Sequence, residues 1–165
     1  MTSLTLDNPT LLVLTPLSGF STPVLTAYSA RNLTQSLEPN TGSGGSEGVL
    51  IRETVNGETL NLIPDWMRKY RSTISCTDTE SPCLDGAWLG VTCEVQCVNE
   101  LSYPEGGAAQ RPAVSGSERV YNHIVYYRPI LVMMITAIRN NLAEYNASVQ
   151  WQIDLREVRN PLLSP

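Results

Sequence analysis

Eight consecutive residues, Val149-Gln150-Trp151-Gln152-Ile153-Asp154-Leu155-Arg156, alternate apolar and polar without a break. Successive side chains of a strand point to opposite faces. Val149, Trp151, Ile153 and Leu155 are therefore expected in a core, with Gln150, Gln152, Asp154 and Arg156 facing water or a partner. A chain with so clean a period of two is a sheet protein first.

At 165 residues the chain suits one domain, which at this size buries roughly 70% of the surface its unfolded form exposes. Charged residues make up only 16%, and Gly and Pro number 11 each, so much of the chain is expected as loop. The formal charge of -5, with Lys69 the single lysine, argues against a sequence-specific nucleic-acid surface, which draws on clustered Lys and Arg. The short basic run Arg68-Lys69-Tyr70-Arg71 would divide its charges between two faces of a strand, which favours solvation or a subunit contact. The first basic residue is Arg31 and no apolar run resembles a signal segment, so synthesis in a cytoplasm without secretion is expected. The longest apolar run, Ile130 to Ile138, is interrupted by Thr136 and falls well short of the roughly 20 residues of a membrane helix.

Residues 1–47 carry recurrent prolines (Pro9, Pro16, Pro23, Pro39) between short apolar groups such as Leu11-Leu12-Val13-Leu14, which excludes one long helix. This segment is expected as an extended arm ending in the hinge-like Thr41-Gly42-Ser43-Gly44-Gly45-Ser46, its leucines lying on a neighbouring subunit. A β domain should follow over 48–158, then a tail over 159–165. Val55-Asn56-Gly57-Glu58 predicts a type I′ hairpin with Ile51 opposite Leu62, Arg52 opposite Asn61 and Glu53 opposite Leu60. Asp65 to Arg68 suits a short turn before a strand from Tyr70 to Cys76. Further strands are expected from Val91 to about Leu101, from Val120 to Tyr127 and from Ile130 to Ile138, with Arg139 to Ala147 as a helical turn or polar loop. Residues 77–90 and 103–116 read as long loops. The whole is all-β: a single-domain antiparallel β-sandwich or partly closed β-barrel with long loops and an extended N-terminal arm.

Reactive side chains are sparse. Cys76, Cys83, Cys93 and Cys97 lack the tight pairs of a zinc site, and Cys93 and Cys97 on a strand would stand roughly 13 Å apart, so buried free thiols are expected rather than a metal or disulfide. The single histidine, His123, is expected within a strand, with no nucleophile elbow nearby. Asp78, Glu80, Asp85 and Glu94 are close in sequence, but nothing fixes the carboxylate separation a glycosidase needs. The glycine-rich segment 42–48 lacks the Lys-Ser/Thr ending of a phosphate loop. No catalytic residue, cofactor or metal is expected. Tyr and Trp, apolar with a polar tip, suit half-buried subunit contacts. The candidate contact residues are Leu12, Leu14, Leu33, Arg68, Trp88, Tyr121, Tyr126 and Tyr127, with loops 41–47, 77–90 and 103–117.

The segments Arg68-Lys69-Tyr70-Arg71-Ser72-Thr73-Ile74-Ser75-Cys76-Thr77-Asp78, Leu84-Asp85-Gly86-Ala87-Trp88-Leu89-Gly90 and Tyr126-Tyr127-Arg128-Pro129, with the closing Trp151 strand, resemble small structural proteins of tailed-bacteriophage virions over about residues 25–157. The resemblance is one of segment order, without a defining motif. It implies a virion component made in the host cytoplasm, in the tail (tube, terminator or distal ring) or as a head-decorating or head-tail joining variant. Its expected partners are further copies of itself in a ring and other virion proteins, with no membrane. Acidic walls would let DNA pass without adhering. A different class, a carbohydrate-binding or host-attachment sandwich, would use Trp66, Trp88 and exposed tyrosines. A hydrolase at Asp78 and Asp85 is a third.

Overall fold

The computed structural model describes residues 11–17, 32–40, 51–63, 68–79, 81–82, 84, 86–145 and 148–159, and all regular structure among them is β. In chain order the strands are β1 (Val13–Pro16), β2 (Thr34–Pro39), β3 (Ile51–Glu53), β4 (Thr59–Asn61), β5 (Tyr70–Asp78), β6 (Thr92–Gln96), β7 (Leu101–Pro104), β8 (Arg119–Tyr121), β9 (Ile124–Tyr127), β10 (Ile130–Ala143) and β11 (Ser148–Arg159). Six form one antiparallel sheet in the order β1-β6-β10-β11-β5-β2. A second sheet has the order β7-β9-β8, and β3 pairs with β4 alone.

The alternating residues of β11 behave as their spacing requires. Val149, Trp151, Ile153 and Leu155 are buried, while Gln150 and Arg156 are exposed. The same parity buries Ile74 and Cys76 on β5, Cys93 and Val95 on β6, and Leu131, Met133 and Ile135 on β10. Cross-strand pairing lines these residues up in rows, such as Leu14–Val95–Leu131 and Ile74–Ile153–Ile138, which build one continuous core. The sheet curls until a side chain bridges its open side. Gln35 on edge strand β2 accepts the Val98 N–H through Oε1 at 2.6 Å and donates through Nε2 to Ser72 Oγ at 3.0 Å. This is a partly closed barrel.

Some expectations need correction. The apolar groups placed in an arm belong to the domain: β1 pairs with β6 and β2 with β5, so 13–16 and 34–39 are the two edge strands of the main sheet. Leu12 and Leu14 are buried in their own chain's core, not laid on a neighbour. The reason is long-range pairing, which supplies beside Leu14 an apolar row that no local pattern announces. The hinge 41–46 and all but Arg68 of the turn expected at Asp65 to Arg68 lie outside the described residues.

The β3–β4 hairpin forms, but its register differs by one, with Ile51 opposite Asn61, Arg52 opposite Leu60 and Glu53 opposite Thr59. The Gly57 N–H bonds the Thr54 carbonyl and only Gly57, at φ 79°, is left-handed, so the loop has three residues rather than two. The two-residue turn with positive φ at both positions occurs elsewhere, at Asn122 (52°) and His123 (61°) between β8 and β9. The segment expected as one strand from Val120 is therefore a hairpin, with His123 at its tip rather than inside a strand. Likewise the strand from Val91 stops at Gln96 and resumes at Leu101 in the second sheet. Finally, Arg139 to Ala143 continues β10 instead of forming a helical turn or loop, because β11 runs beside it as far as Ala143.

Candidate assembly interface

Where an apolar side chain ends up exposed depends on which strands stop early. β6 accompanies β10 only from Ile130 to Met134, and Gly90 and Val91 extend that edge to Ile135 through two backbone bonds. Beyond it, β10 is paired by β11 on one side, and among the described residues no strand pairs its other side. Around this stretch stand Trp88 (72% exposed), Leu89 and, at the far tip of the β10–β11 hairpin, Leu142 (69%) and Tyr145 (94%). A groove of about 340 Å³ lies between Ala87–Leu89 and Thr136–Ile138. A second exposed apolar group is the β3–β4 hairpin. All six of its strand residues are exposed, Ile51 and Leu60 among them, with Val55 and Leu62 alongside. A third is the β8–β9 tip, with Val120, Tyr121 and Ile124.

The predicted contact residues divide among these environments. Trp88 and Tyr121 are exposed, as a contact role requires. Arg68 is exposed as well, and its carbonyl accepts a bond from Arg111 Nη2 at 3.0 Å. Leu33 is half-buried against the core. Tyr126 is half-buried beneath Arg119, whose guanidinium lies 4.4 Å from the ring centroid. Arg119 in turn pairs with Glu100 at 2.7 Å, and that hydrogen bond holds the Glu100 carboxyl below its ordinary range. Tyr127 is buried, packed edge-on to Tyr103 at 5.7 Å, with its hydroxyl pushed up by desolvation. With Leu12 and Leu14 it leaves the set of surface candidates. Trp66 lies outside the described residues.

The reactive groups are placed by the same parity. Cys76, Cys93 and Cys97 are free and buried, and burial pushes the Cys93 and Cys97 thiols up to about 12. Asp78 points into the core from β5, whereas Glu94 lies on the opposite, half-exposed side of β6. Cys83, Glu80 and Asp85 lie outside the described residues. His123 is almost fully exposed, with Nδ1 2.9 Å from Glu105 Oε2. Arg71 of the basic run pairs with Glu38 at 2.6 Å.

Sequence reasoning missed the Arg111–Glu157 ion pair, which anchors the loop after β7 to β11. A signal was present: position 157 continues the inward parity of 149, 151, 153 and 155, so a carboxylate there must be buried and needs a partner. No protein-family model, curated protein or solved structure matches the chain. The class the fold defines is a partly closed, antiparallel β barrel with apolar groups presented on protruding hairpins.

Proposed function

We propose that the protein is a structural subunit that self-associates, in the setting its segments resemble: the tail of a tailed-phage virion, as a ring-forming component. The observation that carries this reading is the β3–β4 hairpin. An isolated two-stranded hairpin is marginal in water, and among the described residues this one belongs to neither of the other sheets and exposes apolar residues on both its faces. Docking on a neighbouring copy buries those faces, and a ring repeats the contact at each subunit.

Mass photometry and electron microscopy at micromolar concentration test the reading, together with proteomics of particles from a producing host. Closed oligomers that vanish in the Ile51→Asp/Leu60→Asp variant, with the monomer's circular dichroism unchanged, are the expected result. A strictly monomeric protein absent from particles overturns it.

A further inference from the structure

We infer that the free edge of β10 is a two-fold docking edge for a second copy of this chain. The contact would be one interface of the self-association proposed above, and it rests on that reading.

Ile135 spends its outward N–H and carbonyl on Val91 and Gly90. The register shift between Ile135 and Ala137 inserts one residue, so the groups facing the free edge beyond it belong to Ile138, Asn140 and Leu142. The other two edges of the main sheet are blunted: β1 ends at Pro16, and β2 ends with Glu38 and Pro39. β10 has neither proline nor acid from Ala137 to Ala143, and its one charge, Arg139, leans toward Asp154 at 3.7 Å.

The side chains along this edge complement themselves. With two copies of β10 antiparallel and the axis at Asn140, Ile138 meets Leu142 of the second copy and Asn140 meets its own equivalent. Arg139 meets Asn141, so no like charges oppose. The Ile138–Leu142 and Asn140–Asn140 pairs, whose backbone groups face the edge, exchange both hydrogen bonds. Apolar and amide cross-strand pairs add to them.

The same register explains the groove. Leu142 of the second copy, opposite Ile138, arrives where Ala87, Trp88, Leu89, Thr136, Ala137 and Ile138 surround a volume of about 340 Å³. Tyr145 of that copy follows beside Trp88 and Leu89. One symmetric contact thus covers four of the large exposed apolar side chains, each of them twice.

Charge reversal at the axis tests this. Asn140 is exposed, so Asn140→Lys and Asn140→Glu should keep the monomer's melting behaviour. Each places like charges face to face and should weaken dimerisation more than about tenfold, while an equimolar mixture of the two restores the dimer. Analytical ultracentrifugation reads all three samples. If the wild type associates but Asn140→Lys leaves the association unchanged, or if the mixture fails to rescue, the β10 edge is not the contact and self-association through the β3–β4 hairpin still stands. A wild type that remains monomeric at every concentration overturns both.

Discussion

Arg111 and Glu157 meet inside the protein with almost no access to solvent, Nε donating to Oε1 at 2.7 Å and Nη2 to Oε2 at 3.1 Å. The Tyr70 N–H donates to the same carboxylate at 2.7 Å, and the guanidinium lies 5.3 Å from the Tyr70 ring centroid. The pair joins the loop after β7, the start of β5 and the end of β11, three segments far apart in sequence. Removing one partner leaves a buried charge unmatched. Arg111→Met should therefore lower stability by about 3–5 kcal/mol, measured by urea unfolding. Arg111→Met combined with Glu157→Leu should recover most of that loss.

The inward thiols make stability fall at alkaline pH. In the unfolded chain Cys93 and Cys97 ionise near their ordinary value of 9.0, but in the fold only at about 12. Their contribution is complete below pH 9 and is lost as pH rises toward 12, at about 1.4 kcal/mol per pH unit for each thiol. Cys93→Ala should flatten that part of the pH–stability profile while lowering stability at neutral pH. Alkylation of both thiols at pH 8 should track global unfolding.

Asn122 and His123 both hold left-handed backbone at the β8–β9 turn. The His123 side chain makes only an exposed contact with Glu105, worth little in water. His123→Gly should raise stability by about 0.5–1 kcal/mol by relieving the backbone, and His123→Val should lower it, both read by thermal melts.

Adjacent positions of β11 should differ sharply. Ile153→Ala opens a cavity between Ile74 and Ile138 and should cost about 2–5 kcal/mol. Gln152→Ala, one residue earlier on the half-exposed face, should stay within about 0.5 kcal/mol. Denaturant titration of the two variants checks the facing of the strand.

The inward set of β11 was legible before any fold was known, because alternation is a property of extended backbone alone. The exposure of Trp88 and Tyr121 is consistent with the contact role read for them. The fates of Tyr127, Leu12 and Leu14 were not legible, since a surface and a core make the same demand of an apolar residue until its neighbours are known. Hairpin register failed for a similar reason: Asn-Gly announces a turn, but whether two or three residues close it is decided by the strands it joins.

Residue order alone therefore specified an all-β chain and the parity of its principal strands, both set within a few bonds of each side chain. Folding in three dimensions chose the edges: β1 and β2 closing the main sheet, Arg111 reaching Glu157, β10 outrunning β6. Those outcomes follow from which distant segments come alongside, and it is the side of β10 that no described strand pairs beyond Ile135 that the second copy is proposed to fill.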